Sequence, residues 1–158
     1  MLFLVPAFLS AFTLKADRAN FSGEWKLNEG KSDLGQFAQF ATRVIKADQK
    51  DNAISISRTS PSFEGGDATS SETLSYDGKE TETTVFGTAK RKSKAKWSDD
   101  GKTFTVSYTM VFDFNGENFE VKGTEAWTLS DDGKTLTTQI TTSSPQGEMA
   151  SKAVYDKQ

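Results

Sequence analysis

From Ala89 to Trp97 the chain alternates without a break. Lys90, Lys92, Lys94 and Lys96 hold one parity; Ala89, Arg91, Ser93, Ala95 and Trp97 hold the other. Successive side chains of a strand point to opposite faces, so this stretch predicts a strand charged outside and small or aromatic inside. The same two-residue period recurs along the chain. Phe21, Gly23, Trp25 and Leu27 open it, and Ile54, Ile56 and Arg58 share a face in a hairpin of 42–49 with 53–60. Met149, Ser151, Ala153 and Tyr155 close it. Residues 28–41 lack alternation. Leu34, Phe37, Phe40 and Ala41 fall at helical spacing there and predict a short helical lid.

Turn dipeptides fix the pairing. Asp100-Gly101 pairs Trp97 with Phe104 and Arg91 with Met110. Asn115-Gly116 pairs Phe112 with Phe119, and Asp132-Gly133 pairs Trp127 with Thr138. Asp77-Gly78 pairs Leu74 with Thr81 and Glu72 with Thr83. All four are read as two-residue type I′ turns. Each register, placed independently, keeps the same residues on the same face, and a one-residue slip would break the agreement. The prediction is all-β: an up-and-down antiparallel barrel of about ten strands with a short helical lid. The twice-used Ser-Asp-Asp-Gly-Lys-Thr (98–103 and 130–135) is turn chemistry, with too few ligands for a calcium loop.

Alternate turns of a meander lie at opposite ends. The lid, a long loop at 61–69, Phe86-Gly87-Thr88, Asn115-Gly116 and residues 144–146 fall at one end, which carries Phe37, Phe40, Phe63 and Phe86. That end is the predicted mouth. Arg58, Glu72 and Arg91 point inward near it. Glu72 and Arg91 are placed close enough to meet, either as a closed ion pair or with Arg91 free to clamp an acidic head group. Glu125 is also inward but about 13 Å below that level, and is set apart as watered or protonated. Tyr108 and Tyr155 add inner hydroxyls, and Trp97, Met110 and Trp127 add apolar lining.

Composition narrows the chemistry. With neither cysteine nor histidine the chain has no thiolate nucleophile and no disulfide, and it lacks the commonest general base and zinc ligand. No catalytic residue, cofactor or metal is assigned. An isomerase or cyclase working through Glu72 or Glu125 is the weakest of three function classes. A net charge of −3 speaks against a nucleic-acid partner. The apolar start, Met1 to Leu14, is short for a membrane span and reads as a secretory signal cut after Ala16 or Ala19. The domain assignment is a leader at 1–19 and a barrel at 20–158. The mature chain is then expected to be secreted or periplasmic, with no stable membrane insertion.

Phe21-Ser-Gly-Glu-Trp-Lys-Leu27 resembles the F-x-G-x-W-K-L opening of the fatty-acid-binding proteins. Phe40-Ala-Thr-Arg43 is similar to the start of their second strand, and Tyr155-Asp-Lys157 to their last. Lipocalins share the G-x-W signature, so the resemblance is to the calycin superfamily. It implies a ten-stranded barrel, a portal under the lid and an internal site for a hydrophobic or amphipathic ligand. Of the family's carboxylate-binding group Tyr155 is present, but the arginine two residues before it is Ala153 here. Binding or transport of such a ligand is the first functional expectation. Its expected contacts are Arg58, Glu72, Arg91, Trp97, Tyr108, Met110, Trp127 and Tyr155, with Phe37, Phe40 and Phe63 at the mouth. The alternative is an interaction or inhibitory barrel acting through its mouth loops, with no small ligand.

Overall fold

The structure is a computed structural model, and it describes residues 17–158. Most of the expected leader lies outside the described residues. Ten strands form one antiparallel sheet: β1 (Gly23–Leu27), β2 (Val44–Gln49), β3 (Ala53–Pro61), β4 (Asp67–Ser75), β5 (Thr81–Val85), β6 (Ala89–Trp97), β7 (Phe104–Phe114), β8 (Glu117–Leu129), β9 (Thr135–Ser144) and β10 (Gly147–Lys157). Their order is β4-β3-β2-β1-β10-β9-β8-β7-β6-β5. The sheet curls until β4 and β5 lie side by side, which makes a nearly closed barrel.

The alternation in β6 is as the pattern predicts: Ala89, Arg91, Ser93 and Ala95 are buried and all four lysines exposed. The registers also stand, with Trp97 opposite Phe104, Arg91 opposite Met110, Phe112 opposite Phe119 and Trp127 opposite Thr138. Two details differ. Among the described residues, only Asn115 and Phe86 of the non-glycine residues have positive φ. Asn115-Gly116 (φ 56° and 83°) therefore fits a type I′ turn, whereas the Asp-Gly turns do not. In those turns the serine and aspartate do the work. Ser98 Oγ donates to Asp100, Asp100 accepts from Lys102 N–H, and Ser98 Oγ accepts from Thr103 N–H; Ser130, Asp132, Lys134 and Thr135 repeat the set. The register survives because both turn types keep the same residues opposite one another.

The second difference is the seam. Leu74 does not pair with Thr81, nor Glu72 with Thr83; no backbone ladder joins β4 to β5. Thr83 Oγ1 instead donates to the Ser71 carbonyl across the gap, at 3.0 Å. The lid also differs from the expected helix. It consists of two 3₁₀ turns, η1 (Glu29–Lys31) and η2 (Gly35–Phe40). Asn28 caps the first by accepting from Lys31 N–H. Asp33 pairs in between with Lys152 of β10. Six residues are too few to offset the nucleation cost of an α-helix, so the shorter-range turn prevails.

The lower half of the barrel is packed solid. Phe21, Trp25, Ile54, Ile56, Leu74, Phe104, Trp127 and Leu136 are essentially inaccessible. Phe21 stacks on Trp97 and meets Trp127 edge-on, with ring centroids 5.5 and 5.7 Å apart. Residues before β1 seal this end. Ala19 N–H donates to the Gly101 carbonyl, and the Arg18 guanidinium lies 4.6 Å from the Tyr76 ring centre.

Candidate functional site

Four charged side chains cross the middle of the barrel, all 5–8% exposed: Arg58, Glu72, Arg91 and Glu125. Each lies on the inner parity of its strand. Ile56 stands opposite Glu72, so Arg58, two residues on, is the diagonal neighbour of Glu72 on the same face. Arg58 donates to Glu72 Oε1 through one nitrogen and to Glu125 Oε2, at 3.2 Å, through the other. Arg91 donates from Nε to Ser93 Oγ at 3.0 Å and from Nη2 to Glu125 Oε1 at 2.9 Å. Trp127 Nε1 gives Glu125 a third donor at 3.2 Å. The result is a chain of ion pairs, Glu72–Arg58–Glu125–Arg91, whose formal charges cancel.

The inward parity of all four is as the alternation predicts, but their partners are not. Glu72 meets Arg58, not Arg91. Glu125 is the hub of the belt rather than a separate group. Arg91 lies over its own Ser93 as it runs down the barrel, so the length of its side chain spans the backbone separation. Nor is Glu125 protonated. Burial alone would push its carboxyl up, but the guanidiniums of Arg91 and Arg58, with the indole and guanidinium hydrogen bonds, hold it at about 2. Burial acts against the charge on Arg58, yet Glu125 and Glu72 raise its pKa above the usual arginine value. Burial, reinforced by Glu125, raises Tyr108 well above the usual tyrosine value. The Tyr108 ring lies 4.0 Å from the Arg91 guanidinium on one side. It also lies against Gly123, where an added Cβ would fall 2.4 Å from the ring, so only glycine fits under this tyrosine. Tyr155, also raised by burial, donates its hydroxyl to the Thr42 carbonyl at 3.1 Å.

Above the belt the packing changes. On β8, β9 and β10 the inner parity continues through Val121, Gly123, Ile140, Thr142, Ser151 and Met149. These positions are half-buried, and Met149 is 37% exposed. Residues of the same parity below the belt, such as Trp127, Leu136 and Ala153, are sealed. Inward side chains on this wall are therefore reached by water, whereas those below the belt are not. The alternation places Met149 inward, and it gives Thr142 no separate signal. Continuing the alternation of Leu136 and Thr138 by two further steps, through Ile140, reaches it. Trp97 and Trp127, expected as lining, pack into the lower core instead.

The opposite side of the mouth is capped by aromatic rings. Phe63 sits at the centre, 5.2–6.5 Å by ring centroid from Phe40, Phe86, Phe112 and Phe114. Met110 packs below with Val85, Ala89 and Tyr108. Phe63 and Phe114 remain 41% and 57% exposed. Phe37 lies on η2 of the lid. The loop that carries Phe63 is shorter than expected, because Pro61 and Asp67 already pair. Under the lid a hollow of about 430 Å³ is lined by Leu27, Leu34, Ala38, Ala41, Glu29 and Arg43, among others. Gln36 of the lid donates to Met149 Sδ at 3.3 Å, so lid and wall touch.

No protein-family model and no curated protein sequence matches the chain. In architecture it is similar to zebrafish ileal bile acid-binding protein complexed with cholic acid. The TM-score is 0.53 at 18% identity, over 87% of this chain and 98% of that one. The likeness is one of fold: the ten-stranded antiparallel barrel expected from the alternation and the turns is what the chain forms.

Proposed function

We propose that this barrel is a carrier, holding one small hydrophobic or amphipathic molecule in a chamber in its upper half. The carrying observation is the wall of Ile140, Thr142, Met149 and Ser151, which faces inward yet stays open to water above a sealed charged belt. Apolar lining with a few convergent polar groups is the usual make-up of a small-molecule site. The similar fold of a bile acid-binding protein supports the reading. So does the pairing of Glu72 and Glu125 with arginine, which suits a fixed polar floor better than proton transfer to a substrate. The leader expected from Met1 to Leu14 makes the carrier an exported one.

Native mass spectrometry of the purified chain, with and without the added neutral probe N-phenyl-1-naphthylamine, tests this. A discrete added mass is expected, lost when Thr142→Trp fills the chamber. A bare protein mass in every case, with tryptophan fluorescence unmoved, contradicts it.

One observation favours a second reading. Phe63 and Phe114 present apolar surface outside the chamber, as a protein-docking mouth would. Under that reading Phe114→Ser abolishes partner capture and Thr142→Trp does not.

A further inference from the structure

Two buried polar oxygens among the described residues have no hydrogen-bond partner near the seam: Glu72 Oε2 and Thr81 Oγ1. They belong to the two strands that meet without a ladder. The Thr83–Ser71 bond places Thr83 beside the Ser71–Glu72 step of β4. Thr81 is two residues along β5 on the same face as Thr83, opposite the buried Ser93. Glu72 uses its other oxygen for Arg58. A buried carboxylate oxygen left without a donor is costly, and native structures leave few of them.

The belt constrains what can satisfy it. Two guanidiniums face two carboxylates, and both guanidiniums are engaged. An anionic head group would add an unpaired charge to a dry site, and it has no proton to give Glu72 Oε2. A hydroxyl adds no charge. It donates to the carboxylate and still accepts from a neighbouring O–H.

We propose that the ligand is an uncharged apolar molecule bearing a free hydroxyl, which donates to Glu72 Oε2, with Thr81 Oγ1 as partner for the same or a second hydroxyl. This rests on the carrier reading and specifies its ligand class. The polar end of the ligand then lies toward the β4–β5 seam and its apolar body against the β8–β10 wall.

The test is displacement of the neutral fluorophore N-phenyl-1-naphthylamine by three matched chains: 1-tetradecanol, its methyl ether and tetradecanoate. The alcohol is expected to displace at concentrations about tenfold or more below those of the other two, the usual cost of losing a hydrogen bond to a charged group. In Glu72→Gln the alcohol-to-ether ratio should fall toward one, because the amide can donate to an ether oxygen. Thr81→Val leaves every ion pair intact and should reduce the alcohol's advantage in part. Equal displacement by alcohol and ether in the unmodified protein, or tetradecanoate matching the alcohol, overturns the hydroxyl assignment and leaves the carrier reading standing. Failure of the fluorophore and all three chains to bind overturns both.

Discussion

Glu125 concentrates the electrostatics of the interior in one side chain. It receives hydrogen bonds from two arginines and an indole. Removing its charge strands Arg91, whose only carboxylate partner it is among the described residues, and deprives Arg58 of one of two. Breaking a buried pair from one side typically costs about 3–5 kcal/mol. Glu125→Gln should therefore lower the urea midpoint at pH 7 substantially. The pH dependence has a definite sign. The folded carboxyl titrates at about 2, below the ordinary unfolded glutamate value of about 4.3. Its stabilisation, on the order of 3 kcal/mol, is complete above about pH 5 and is lost as pH falls through the folded value. Denaturation series at pH 7, 5 and 3 should show a shallower acid slope in the glutamine variant. The slope that remains belongs to carboxylates such as Asp77, Asp100, Asp132 and Asp156, which hydrogen bonds hold low. An unchanged slope would remove Glu125 from the belt.

At the scale of elements the seam is the weak line. Strands β7, β8 and β9 are joined by long continuous ladders, whereas β4 and β5 meet through side chains and one hydroxyl bond. Backbone groups facing the seam have no ladder partner, and local opening begins where such bonds are few. Hydrogen exchange should be fast at the seam-facing amides of β4 and β5 and slowest in β7 and β8. Uniform protection around the barrel would mean that the seam closes in solution. The sequence made the strands and their parity legible, because one face is charged or polar and the other is not. Lys90 to Lys96 is the plainest case. It did not reveal the seam. Asp77-Gly78 looks like any other hairpin turn, and whether two strands pair after it depends on how the closed sheet fits around its core. The lid was legible as a break in alternation but not as 3₁₀, since the spacing of Leu34, Phe37 and Phe40 does not separate the two helix types over so few residues. In the site, residue identity and face could be read, as for Arg58, Glu72 and Arg91. Partnership could not, because contacts across the lumen depend on side-chain reach.

The molecule as a whole has two unlike halves separated by the charged belt. Below it, Phe21, Trp25, Phe104 and Trp127 make a solid aromatic core, closed from beneath by Arg18 and Ala19. Above it, the Phe63 cluster caps one side and the β8–β10 wall stays open. Such a division suits a scaffold whose lower half holds the fold while the upper half receives a guest. Charge cancellation in the belt lets the two meet without exposing an unpaired ion to either. The most direct measurement is the map of amide shifts in a ¹⁵N-labelled sample titrated with the neutral probe N-phenyl-1-naphthylamine. If the upper half is the chamber, shifts concentrate at Ile140, Thr142, Met149 and Ser151, while Phe104, Leu136 and Trp127 stay still. Shifts confined to the outer loops around Phe63 and Phe114, or no shifts at all, would contradict a carrier.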